Sequence, residues 1–67
     1  MTADEARLEL LEARRIMCDA NTGPDRMMTL IKALGWLLFN VPEEFVSFTQ
    51  ATIYEAERRL IYLEIGR

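Results

Sequence analysis

The chain contains no histidine, one cysteine, two prolines and three glycines. Each scarcity closes off a class of explanation. Without histidine the commonest acid–base group at neutral pH is missing, and no other set of side chains supplies a nucleophile with its base, so the chain is not expected to be an enzyme. The adjacent acids Glu43 and Glu44 point about 100° apart on a helix and are better explained as first-turn residues. Cys18 cannot form a disulfide within the chain, and a structural zinc site has too few ligands. No metal or nucleotide motif is present, and no cofactor is expected. The longest uncharged runs, Ala33 to Pro42 and Phe45 to Tyr54, have ten residues each, against about 20 needed to cross a bilayer. The start, MTADEARLEL, lacks the basic residues and apolar run of a secretory signal. A soluble protein of the cytoplasm, with no membrane partner, is expected. Eleven acids against eight bases give a net charge of −3, which argues against general attraction to nucleic acid or an anionic surface.

What the chain does have is apolar residues, 51% of 67. A chain this short is one domain at most, residues 1–67, and buries only roughly 60% of the surface its unfolded form exposes. Domains of this size usually need a disulfide, a metal or association for support. The first two being absent, a homodimer or higher oligomer is expected.

The stretch from Met27 to Val46, MMTLIKALGWLLFNVPEEFV, carries the only tryptophan and two of the three phenylalanines. Its apolar pattern predicts a helix to about Phe39, although WLLFNV alone would also suit a strand. Lys32, Thr29 and the first turn leave so thin a polar arc that the helix is expected to be covered on most sides. Asn40, Val41 and Pro42 end it, since the residue before proline is driven out of the helical region.

Before this segment, Thr2 and Glu5 have the spacing of a capping box, and Ala6, Leu10, Ala13, Met17 and Ala20 share a narrow arc of an amphipathic helix. Leu11 and Cys18 lie beyond Arg7 and Arg14 on one side, Ile16 at the margin, and Leu8 on the polar side. Asn21-Thr22-Gly23-Pro24 reads as a break, with Gly23 suited to a left-handed stop, Pro24 to the next first turn, and Thr22 with Asp25 as a weaker cap. After Pro42 a third helix can start, with Asn40 available as its cap. Val46, Thr49, Ile53, Ala56, Leu60 and Leu63 form a heptad-like seam in which Thr49 and Ala56 are the weak members. A second stripe runs through Tyr54, Ile61 and Ile65, and Gly66 closes the helix. Ser47, Thr49 and Thr52 lower helix propensity near its start, so a kink or separate turn around Val46 to Phe48 is plausible. The expected fold is all-α, with three helices, or four if the third is broken.

Several residues have a plain and a sharper reading. Cys18 is read as a small buried hydrophobe in preference to a redox thiol or an interchain bridge. Met27 and Met28 are read as core filling in preference to an adaptable binding surface. Gly35 is either merely tolerated or marks close approach of another helix. Trp36 is a core or an interface anchor. Arg7 has Asp4 within helical reach, Arg15 has Glu12 and Asp19, and Arg58 and Arg59 both have Glu55, so these are ion-paired solvated faces. Arg14 has no such partner. The helix after the Gly-Pro turn is the most apolar in the chain, the opposite of what a DNA-reading helix-turn-helix requires.

At LGWLLFNVPEEF and the following ERRLIYLEIGR, the chain resembles the short accessory proteins encoded between the exonuclease and excisionase genes of lambdoid phages, including toxin-converting ones. The resemblance covers the whole chain. It implies a small all-helical, dimeric protein of the infected bacterial cytoplasm with a part in phage development or the choice between lysis and lysogeny. No catalytic or binding residue carries over, because the family offers no motif for one. The leading expectation is a non-enzymatic regulator that binds a host or phage protein. Its core or dimer interface is expected at Leu34, Trp36, Leu37, Leu38, Ile53, Leu60 and Leu63. The alternative is a DNA-associated helical regulator using arginines brought together by dimer symmetry. A third reading, an acidic mimic of nucleic acid, is weakened by the arginines among the acids.

Overall fold

Three helices follow one another in a computed structural model that describes residues 1–66: α1 (Ala3–Cys18), α2 (Pro24–Leu38) and α3 (Val46–Ile65), with a single 3₁₀ turn (Glu43–Phe45) before the last. No strand occurs among the described residues. The body measures 39 × 16 × 14 Å. α2 packs most extensively on α3, and α1 lies more lightly against both.

The start of α1 is set by its first residues. Glu5 N–H donates to Thr2 Oγ1 at 3.2 Å and Thr2 N–H donates to Glu5 Oε1 at 3.1 Å, so two helix-end donors are satisfied reciprocally. Ala6, Leu10, Ala13 and Met17 are the buried positions of α1, as their shared arc predicts. Ala20 falls beyond the helix and is exposed. Cys18 is exposed as well, contrary to its expected burial. Leu11, seven residues earlier on the same edge of α1, is exposed too, so this edge of the helix faces out along its length.

The break between α1 and α2 uses different chemistry from that expected. No residue among those described adopts positive φ, and Gly23 is extended (φ −85°, ψ 179°) as the N-cap of α2. The turn is instead held by Asp19, whose side chain accepts from Asn21 N–H at 2.9 Å, and by Thr22. The Thr22 hydroxyl donates back to the Ile16 carbonyl at 2.6 Å, so Thr22 locks the end of α1 in place of capping α2. Pro24 takes the first-turn position, where its missing N–H has no cost.

Asn40 likewise closes α2 and does not open α3: its Nδ2 donates to the Trp36 carbonyl at 2.8 Å, and its N–H donates to the Leu37 carbonyl at 2.9 Å. The separate turn precedes Val46, and α3 is continuous over its 20 residues. Its buried residues are Thr49, Thr52 and Ala56. The apparent weak members of the seam are thus its deepest, because short side chains let α1 and α2 approach α3 closely. Thr52 lies outside the seam expected from spacing. Both threonine hydroxyls donate to carbonyls four residues back, Thr49 to Phe45 at 2.7 Å and Thr52 to Phe48 at 2.9 Å, so neither is buried unpaired. The core consists of Leu10, Ala13, Met17, Met27, Leu30, Leu34, Leu37 and Ala56, flanked by half-buried Ile16, Ile31, Val41, Phe45, Ile53, Leu60 and Leu63.

Candidate interaction surface

The seven residues expected at a core or dimer interface divide three ways. Leu34, only 1% exposed, and Leu37 are core residues of the single chain. Ile53, Leu60 and Leu63 are half-buried against that core, and Leu38 is half-buried too. Trp36 is 67% exposed and is no core anchor. On a helix two residues apart diverge by about 200°, so burying Leu34 turns Trp36 outward.

Other large apolar side chains join Trp36 on the surface. On α2 and its cap, Met28 and Phe39 are exposed, Phe39 at 88%; on α3, Tyr54, Ile61, Tyr62 and Ile65 are exposed. α2 is therefore left uncovered along one side by its own chain, so the cover expected on most sides does not come from α1 and α3 alone. Met28, Gly35 and Phe39 have spacings of seven and four, as do Tyr54, Ile61 and Ile65, so each set forms one stripe along its helix. Between α2 and α3 lies a shallow depression of about 280 Å³ formed by Met28, Ile31, Lys32, Glu57, Leu60 and Ile61. Its only charges are one of each sign, and neither Lys32 nor Glu57 has an ion pair among the described residues. Met28, Phe39, Lys32 and Glu57 were missed as site residues from sequence. The equal stripe spacings were a signal for the first two, whereas the closeness of Lys32 to Glu57 depends on how the helices pack.

Gly35 lies within this α2 stripe. A Cβ built there meets nothing within 4 Å. No helix of the same chain approaches it, which removes the intrachain version of the close-approach explanation.

A second, larger groove of about 640 Å³ separates α1 from α2, with Ala13, Ile16, Leu30 and Leu34 along it and Trp36, Glu9 and Glu12 among its lining residues. Arg15 donates to both carboxylate oxygens of Glu12, and this hydrogen bonding lowers the Glu12 pKa and raises that of Arg15. The backbone hydrogen bond from Thr2 lowers the Glu5 pKa. On the other flank of α1, Arg14 Nη1 donates to Glu55 Oε2 at 3.1 Å, giving a partner to the arginine that lacked one in its own helix. Arg7 pairs with Asp4 at 3.1 Å and Arg59 approaches Glu55 at 4.0 Å; Arg58 and Asp19 form no ion pair among the described residues.

Among the described residues no three acidic or cysteine side chains cluster as a metal site, and no buried side-chain nitrogen or oxygen lacks a partner. No described helix is long and apolar enough to cross a membrane. The arrangement is a three-helix protein with an open apolar side. No protein family matches the chain, and no curated protein or solved structure matches it.

Proposed function

We propose that the chain is a non-enzymatic interaction protein that associates as a homodimer and regulates by binding another protein of its host cell or phage. The observation that carries this is the uncovered apolar side of α2 and α3. The single chain exposes 4850 Å², whereas a folded monomer of 7.8 kDa exposes roughly 4,400 Å². The surplus includes Trp36, Phe39, Tyr54 and Ile61, side chains whose burial would be favourable by about 25 cal/mol per Å². The resemblance to lambdoid-phage accessory proteins supports a setting in the infected bacterial cytoplasm and a part in the lysis–lysogeny choice. For a DNA-associated regulator the support is thinner, because Arg14, the arginine without a local partner, is engaged with Glu55.

Two measurements test the proposal. Light scattering across micromolar concentrations is expected to give the mass of two chains, and a monomeric mass throughout would remove the self-association. Affinity capture with the full chain from infected and uninfected bacterial lysates is expected to return a reproducible protein partner. If neither lysate yields one, while duplex DNA binds with a steep dependence on salt, the DNA reading replaces this one.

A further inference from the structure

We infer that the side of the α2–α3 pair bearing Lys32 and Glu57 receives a second copy of the chain, about a two-fold axis running along the helices. α2 of each copy then lies on α3 of the other. Lys32 meets Glu57 of the second copy, and the ring of Tyr54 enters the notch at Gly35 of the second copy. This rests on the self-association proposed above and specifies its geometry.

Three features of the single chain lead to this arrangement. The first is charge. Lys32 is the only lysine in the chain, and it shares the α2–α3 depression with Glu57 among apolar neighbours. A two-fold axis along the helices places α2 over α3 of the second copy, so opposite charges meet twice. An axis across the helices at this level stacks α2 on α2, bringing Lys32 to Lys32 and Glu57 to Glu57. Like-charge juxtaposition selects against that alternative.

The second feature is register. Early α2 residues Met28 and Lys32 share the depression with late α3 residues Glu57 and Ile61, so the helices run antiparallel and Lys32 stands level with Glu57. Both helices rise about 1.5 Å per residue. Three residues farther along α2 and three back along α3, Gly35 stands level with Tyr54. Glycine is a poor helix former, and at Gly35 it leaves open space, while Tyr54 is 70% exposed with nothing in its own chain to cover it. The two-fold operation lays one over the other.

The third is area. A stable interface takes about 800 Å² from each partner. Phe39 and Tyr54 carry aromatic side chains that bury about 150–250 Å² each, and Met28, Ile31 and Ile61 extend the same surface. Exposed at 88% and 70%, Phe39 and Tyr54 offer a substantial part of that area.

Sedimentation equilibrium of the full chain and four variants tests the geometry, with circular dichroism confirming that each variant stays helical. In a symmetric dimer every substitution acts twice. Lys32→Glu and Glu57→Lys are each expected to weaken self-association by about tenfold or more, and the double swap Lys32→Glu/Glu57→Lys to restore it to within about threefold of the parent. Gly35→Leu is expected to weaken it by about tenfold or more while keeping the helix. If the parent dimerises but the double swap stays as weak as the single variants, or Gly35→Leu is without effect, this geometry is wrong while self-association stands. A parent chain that is monomeric at every concentration overturns both.

Discussion

Arg14 on α1 and Glu55 on α3, 41 positions apart in sequence, form the one ion pair that joins different helices among the described residues, Nη1 to Oε2 at 3.1 Å. Arg59 approaches the other oxygen of the same carboxylate at 4.0 Å, so Glu55 sits between two guanidinium groups. α1 packs more lightly than α2 does on α3, and this pair adds an ionic contact between α1 and α3 to the apolar packing of Leu10, Ala13 and Met17. Both side chains are about two-fifths exposed, so solvent screening keeps the contribution small. A double-mutant cycle with Arg14→Ala and Glu55→Ala is expected to give a coupling of about 0.2–1 kcal/mol in urea unfolding. At about 1 M salt that coupling should shrink toward zero; a coupling that persists there would mean the contact is packing and not charge.

Thr2 holds the first turn of α1 through the Glu5 N–H. Thr2→Ala removes that acceptor, while the backbone N–H that donates to the Glu5 carboxylate is kept. A loss of about 1 kcal/mol is expected, whereas Thr2→Ser should keep most of the stability. Equal losses from both substitutions would show that the hydroxyl is not what matters.

Acid should destabilise the fold through Glu5 and Glu12. Thr2 hydrogen bonding lowers the Glu5 pKa, and the Arg15 hydrogen bond lowers that of Glu12, below the ordinary 4.5. A carboxylate with a depressed folded pKa stabilises fully above its unfolded pKa and loses that contribution as pH falls through the folded value. Stability from these groups is therefore level above about pH 5 and declines below 4.5. With no histidine in the chain, the commonest cause of change between about pH 5 and 8 is missing. Thermal unfolding monitored across pH should show the fall only on the acid side, and Glu12→Gln should make it shallower.

The features legible in the sequence were local or periodic. The Thr2–Glu5 cap spans three residues and needs no tertiary information, and the buried arc of α1 comes from helical period alone. The all-helical character comes from the same periodicity. Cys18 shows where period stops being sufficient: with Leu11 it flanks the apolar face of α1, but how far round the neighbouring helices reach is set by packing, and both are left exposed. Thr52 fails for another reason, since its hydroxyl is satisfied by the Phe48 carbonyl and a residue counted as polar can then enter the core. Asn40 had two helix ends within reach, the close of α2 and the opening of α3, and only the path of the turn decides between them. Arg14–Glu55 and Lys32–Glu57 depend on how packed helices are offset along one another, which residue spacing does not encode. For the surface, the stripes were readable but the side left uncovered was not.

Leu34 and Trp36 should respond oppositely to truncation. Leu34 is enclosed by the core, and Leu34→Ala is expected to cost about 2–5 kcal/mol, a large part of the roughly 3–10 kcal/mol available to a chain of this length. Trp36→Ala, measured at concentrations where the chain is monomeric, should change stability by no more than about 0.5 kcal/mol. As the only tryptophan, Trp36 also reports directly: its fluorescence should be readily quenched by iodide in the monomer. A shielded indole under those conditions would contradict its exposure.

Gly35→Ala separates the needs of the single chain from those of a pair. A methyl group at this position meets nothing within 4 Å, and alanine is favoured over glycine in a helix interior by about 1 kcal/mol. In dilute solution the variant should therefore unfold at higher urea concentration than the parent, by an amount corresponding to about 0.5–1 kcal/mol. If stability falls there instead, some group of the same chain occupies the space beside Gly35. At high concentration the order is expected to reverse in part, because the parent gains stability from association in proportion to the logarithm of its concentration and the variant, with its notch narrowed, gains less. A glycine that weakens its own helix persists in this reading because what it accommodates lies outside the chain.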